Sequence, residues 1–99
     1  MPEHPLKVFE RLDPDLLNLV NNANEFAMAD GALSRKVKFL IAMALDASHG
    51  AVDGVKALAQ AAEKAGATKE EIAETLRVAH FVSGVGSVYV AARALQDRF

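Results

Sequence analysis

The chain of 99 residues contains no cysteine and no tryptophan. Without cysteine there can be no disulfide, no thiolate metal site, no cysteine nucleophile and no peroxide reduction through a thiol. Aromatic residues are scarce at 6%, and proline occurs three times. Long hydrophobic runs are also missing. The longest, Phe39 to Leu45, is far too short to span a bilayer. The N-terminal Met1-Pro2-Glu3-His4-Pro5 is polar and lacks a signal-peptide pattern, so a cytoplasmic protein without membrane attachment is expected. Neither sign of charge dominates, with 11 Lys and Arg against 13 Asp and Glu. Without a basic block there is no electrostatic support for nucleic-acid binding.

What remains is apolar and helix-forming. Apolar residues make up 52% of the chain, with alanine heavily used. Length and composition predict a single all-α domain over residues 1–99, a compact assembly of about six helices. Leu6, Val8, Phe9 and Leu12 give a first apolar turn or two. Asp13-Pro14 is a helix start, since Asp13 can accept from free N–H groups and Pro14 suits the first helical position. Leu16, Leu17, Val20, Ala23, Phe26 and Ala27 then recur at helical spacing, and Gly31 is expected to end the helix in a left-handed cap.

Ser34 caps a third helix, whose Val37, Leu40, Ile41, Ala44 and Leu45 form one apolar face. Phe39, Ala42 and Met43 make its other side apolar as well. A helix apolar all round is expected to be buried on all sides, with other subunits supplying the extra cover in so small a domain. A break near Gly50 precedes a fourth helix from about Val52 to Ala65, with Val55, Leu58, Ala59 and Ala62 inward and Lys56, Gln60 and Lys64 solvated. Gly66 stops it. Thr68 and Glu71 form a capping box for a fifth helix that buries Ile72, Leu76, Ala79 and Val82. Gly84 and Gly86 interrupt the backbone before a last helix carrying Val88, Val90, Ala91 and Leu95.

Three histidines are the candidates for acid–base or metal chemistry. His4 lies in a polar terminus. His49 lies at a helix junction with Asp46 before it and Asp53 after it. If the helix ran through, Asp46, His49 and Asp53 would share one face, a general acid/base or partial metal arrangement. The alternative is a polar junction whose carboxylates favour the start of the next helix. His80, in the apolar fifth helix, is expected to be a hydrogen-bonded core or interface residue. If folding joined it to His49, two histidines and two carboxylates would suit zinc. No spaced ligand motif, nucleophile elbow or complete dinucleotide loop is present, so no metal or cofactor is expected.

The stretch Leu33–Ala44, the Ala62–Ile72 segment with its A-x-x-x-G-x-T-x-E-E-I pattern, and Gly84-Val85-Gly86 together resemble the carboxymuconolactone decarboxylase and alkylhydroperoxidase D-like family. The resemblance covers roughly two thirds of the chain, from Leu33 to Leu95. It implies helical subunits assembled as trimers or hexamers. It also locates the family's active residues: a cysteine pair at Ala51 and Gly54, a histidine at Leu58 and a glutamate at Phe39. All four are apolar or glycine here, and Asp53 stands between the two cysteine positions.

Two functions are therefore expected to compete. One is a thiol-independent enzyme or binder for a small organic molecule, decarboxylase-like or isomerase-like if catalytic. His49 or Asp53 would be its proton-transfer group, and Asp46 and Lys56 its neighbours. The other is a non-catalytic oligomeric scaffold or interaction protein, with Phe39 and Leu58 filling the former site.

Overall fold

The computed structural model describes residues 4–99, and all of its regular elements are helical. A 3₁₀ turn over Pro5–Val8 leads into α1, Phe9–Leu12. The longer helices are α2 (Pro14–Met28), α3 (Arg35–His49), α4 (Val52–Lys64), α5 (Lys69–Ser83) and α6 (Gly86–Leu95). Ser87 to Ala91 belongs to α6.

Local chemistry sets most boundaries. The Asp13 side chain accepts from Leu16 N–H at 3.1 Å, with Pro14 as the first helical residue. Ser34 accepts from Val37 N–H at 3.3 Å. Thr68 accepts from Glu71 N–H at 3.0 Å while Glu71 accepts from Thr68 N–H at 2.9 Å, which completes the capping box. Gly50, at φ 83°, closes α3. There Ala51 N–H donates to Asp46 C=O at 2.9 Å and Gly50 N–H to Ala47 C=O at 3.4 Å, the paired bonds of a left-handed helix stop. Gly66 repeats this at the end of α4, with Ala67 N–H donating to Ala62 C=O at 2.8 Å. Gly31 does not have the expected left-handed cap. The chain leaves α2 through an extended Ala29, and Asp30 turns back to accept from Arg35 N–H at 3.0 Å.

The core lies between α3, α4, α5 and α6. Met43 and Val55 are its largest fully enclosed side chains, and Leu40, Ala59, Ala62, Ile72, Ala91 and Ala94 surround them. Small residues dominate, so the helices approach closely. α3 and α4 form an antiparallel pair about the turn at Gly50. Asp46 and Gly54, each four residues from Gly50, meet in space. Phe39 and Ala61, each eleven residues away, line one concavity.

Within one chain Ile41 and Leu45 of α3 are about half exposed, which leaves open the side expected to be covered by other subunits. They sit on the side opposite the one that packs on α4. Val82 is 74% exposed rather than buried, since the turn at Gly84 directs the chain across the other side of α5. His80 is exposed and its side chain makes no hydrogen bond among the described residues, so it is not a hydrogen-bonded core residue of the single chain. Among the described residues no helix is long and apolar enough to cross a membrane.

Candidate functional site

The junction of α3 and α4 brings one of the expected residues into an unusual position. The helix does not run through from Asp46 to Asp53, because Gly50 reverses the chain. The face that continuous helix would have given to Asp46, His49 and Asp53 therefore does not form. Instead Asp46, on the last turn of α3, folds its carboxylate over the backbone of Gly54 on the first turn of α4. A Cβ placed on Gly54 would fall 2.9 Å from Asp46 Cγ and closer still to Oδ2. Gly54 thus leaves room for the carboxylate, which takes the space a side chain at 54 would use.

Asp46 is half-buried, and its carboxylate accepts no hydrogen bond and forms no ion pair among the described residues. Its backbone carbonyl is used in the helix stop, so the carboxylate alone is left without a partner. Nearby, α4 starts from Ala51, which supplies no side-chain cap. Val52 N–H donates to Gly50 C=O and Val55 N–H to Ala51 C=O, which leaves the N–H groups of Asp53 and Gly54 without an acceptor among the described residues. These two donors and the positive end of the helix dipole favour negative charge at this corner.

The other three expected site residues surround this corner without converging on it. His49, Asp53 and Lys56 are exposed, and none makes an ion pair or side-chain hydrogen bond among the described residues. Among the described residues, no group of three or more histidine and carboxylate side chains comes together in a way that could hold a metal ion.

The opposite end of the α3–α4 seam is built differently. Phe39 and Leu58 are half-buried and pack against the core. The Arg35 guanidinium lies 5.4 Å from the centre of the Phe39 ring, a cation–π contact. Arg35 and Phe39 form one wall of a concavity of about 410 Å³, completed by Ala61, Lys64 and Ala65. They also border a second of about 270 Å³ against Asn24, Glu25 and Met28 of α2. Phe39 and Asp46 are seven residues apart on one stripe of α3, roughly 10 Å along the axis. Residue types alone did not single out this concavity. The turn at Gly50 was the available signal: pairing residues at equal distances on either side of it brings Asp46 to Gly54 and Phe39 to Ala61.

Glu71 lies outside this seam. Its carboxyl is held below the ordinary glutamate range, first by the hydrogen bond from Lys36 Nζ at 2.9 Å, then by the bond from Thr68 N–H. It joins the start of α3 to the start of α5 and so has a structural role.

Comparison with known proteins agrees with this architecture. Residues 14–97 match the profile of the carboxymuconolactone decarboxylase family. An uncharacterized protein of Methanocaldococcus jannaschii is 33% identical over 92 residues, which is 92% of this chain and 88% of that protein. The crystal structure of the apo form of a carboxymuconolactone decarboxylase family protein from Legionella pneumophila superposes with a TM-score of 0.85 at 36% identity. That match covers 92% of this chain and 81% of the other.

Proposed function

Because the chain belongs to the carboxymuconolactone decarboxylase family, we propose that it is a thiol-independent acid–base protein for a small organic carbonyl compound, with Asp46 as the proton-transfer group. The observation that carries this reading is the half-buried Asp46 carboxylate, which lies without a partner over Gly54. Gly54 is the position that the resemblance assigns to the second thiol. A carboxylate that no protein donor occupies and that solvent can reach is available to a substrate proton.

The chemistry follows from what surrounds it. In a carbonyl compound with a neighbouring C=C bond, Asp46 takes a proton from the carbon next to the carbonyl. The C–H pair forms a new C=C bond and the carbonyl π pair moves onto oxygen as an enolate. The N–H groups of Asp53 and Gly54 are the donors available to that oxygen. Return of the proton from Asp46 to the conjugated carbon completes an isomerisation, and no cofactor or metal is needed. His49, Asp53 and Lys56 stand at the rim, where they contact the substrate's outer polar groups. In this reading the protein works in the cytoplasm as a homo-oligomer, a trimer or hexamer.

The test uses carboxymuconolactone in deuterated water, followed by proton NMR, which registers both proton exchange and loss of carbon dioxide. The wild type is expected to exchange a proton of it for deuterium, with or without isomerisation. Asp46→Asn should slow this about 100-fold or more, while His49→Ala with Asp53→Ala stays within about threefold, because rim residues bind but do not transfer the proton. A wild type that leaves the compound unchanged contradicts the proposal and favours the second reading, a non-catalytic scaffold. The packing of Phe39 and Leu58 against the core supports that second reading.

A further inference from the structure

The helix α2 faces the wrong way for a monomer. Towards its own chain it presents Leu17, Asn21, Asn24 and Met28, which line the concavities beside α1 and α3. Its apolar stripe, Leu16, Leu19, Val20, Ala23 and Phe26, points outward. No residue of the helix is buried, and Phe26 is 90% exposed. A second apolar face is uncovered on α5 and α6. Val78, Phe81 and Val82 follow helical spacing on α5, with Phe81 87% exposed, and beyond the turn at Gly84 Val85, Val88 and Tyr89 are also exposed. Beside Val88 lies an apolar groove of about 400 Å³ that also includes Leu76, Ala92, Leu95 and Phe99.

We propose that these two faces are halves of one interface: α2 of one copy of this chain lies across the α5–α6 face of a second copy, with Phe26 as its anchor. The proposal rests on the assembly suggested above and names the surfaces that make it.

Area supports it. The single chain exposes 7046 Å² at 10.6 kDa, whereas a compact monomer of that mass exposes about 5,500 Å². The excess of about 1,500 Å² is near twice the roughly 800 Å² that a standard interface takes from one partner. Each copy has two such patches to cover, one given and one received, as a head-to-tail contact requires.

Charge supports it independently. Residues 13–30 contain Asp13, Asp15, Glu25 and Asp30 and no lysine or arginine. Between Glu74 and Asp97 there is no carboxylate, and the two strong cations are Arg77 and Arg93. Arg77 lies one turn before Phe81 and Arg93 one turn after Tyr89, so each borders an exposed aromatic. Neither arginine makes an ion pair among the described residues, and the same holds for Asp15. An acidic arm on a face with positive margins also sets the register of docking.

The experiment measures mass by light scattering across a dilution series from micromolar concentration. The wild type should be larger than one chain. Phe26→Ser and Arg77→Glu with Arg93→Glu should each raise the dissociation constant at least tenfold. Adding Asp15→Lys to the arginine variant should bring it back to within about threefold of wild type. Circular dichroism of each variant reports the fold separately, and the restored association of the triple variant reads the pairing even if a dissociated variant loses helix. A wild-type mass of one chain overturns both the assembly and the pairing. An oligomer unaffected by Phe26→Ser, or one that the added lysine fails to restore, overturns the pairing and leaves the assembly in place.

Discussion

The Asp46 carboxylate occupies the space where a side chain at Gly54 would lie. Glycine in a helix interior is normally inferior to alanine by about 0.5–1 kcal/mol, so Gly54→Ala should stabilise an ordinary helix. Here the new methyl group must displace the carboxylate. The tip of an aspartate can swing away, so the opposing effects should leave unfolding free energy within about 1 kcal/mol of wild type. Proton exchange into carboxymuconolactone should nonetheless fall at least tenfold. Denaturant unfolding and the NMR assay, run on the same variant, check the two halves of this expectation.

The core itself should respond conventionally. Met43 is fully enclosed between the helices, and Met43→Ala should cost about 2–5 kcal/mol. Phe26→Ala, by contrast, removes a side chain that is almost wholly exposed in the single chain. It should cost the isolated chain little, and any loss of thermal stability it causes should depend on protein concentration. Thermal melts of both variants at two concentrations separate these effects.

Acid should weaken the contact between α3 and α5. The Glu71 carboxyl is held below its ordinary range, chiefly by Lys36 and then by Thr68 N–H. A carboxyl whose folded value is depressed binds its proton more readily in the unfolded chain. Its stabilising contribution is therefore complete above the unfolded glutamate value of roughly 4.3 and is lost as pH falls through the lower folded value. Glu71→Gln should flatten the pH dependence of stability in that acid window. Thr68→Ala should cost about 1 kcal/mol through loss of the cap. Urea unfolding between pH 3 and 7 measures both.

Peroxide chemistry should be absent. With no cysteine in the chain, metal-free protein should consume no hydrogen peroxide or organic hydroperoxide beyond the buffer rate, with or without a dithiol reductant. A colorimetric peroxide assay checks this directly.

Much of the fold was legible because local chemistry decides it. Asp13-Pro14, Ser34, Gly50, Gly66 and the Thr68–Glu71 box each start or stop a helix by satisfying backbone groups within a few residues. The end of α2 was not legible, because Asp30 reaches across to Arg35 and removes the need for a left-handed Gly31. The exposure of Val82 on α5 was not legible for a different reason. Apolar periodicity in Ile41, Leu45, Val82 and Phe26 marks a surface to be covered but does not say which molecule covers it. At the candidate site, the sequence pointed to the α3–α4 junction on the condition of a continuous helix, and Gly50 breaks that helix. Asp46, His49 and Asp53 would have aligned only on a continuous helix. The reversal at Gly50 left His49 and Asp53 exposed and joined Asp46 to a glycine with no chemistry of its own.

The most direct test of the central claim is the rate of deuterium exchange into carboxymuconolactone, compared between wild type and Asp46→Asn at equal folded concentration. The account predicts exchange by the wild type and a loss of about 100-fold or more in the variant. Equal rates in the two proteins, or no exchange by either, would contradict it.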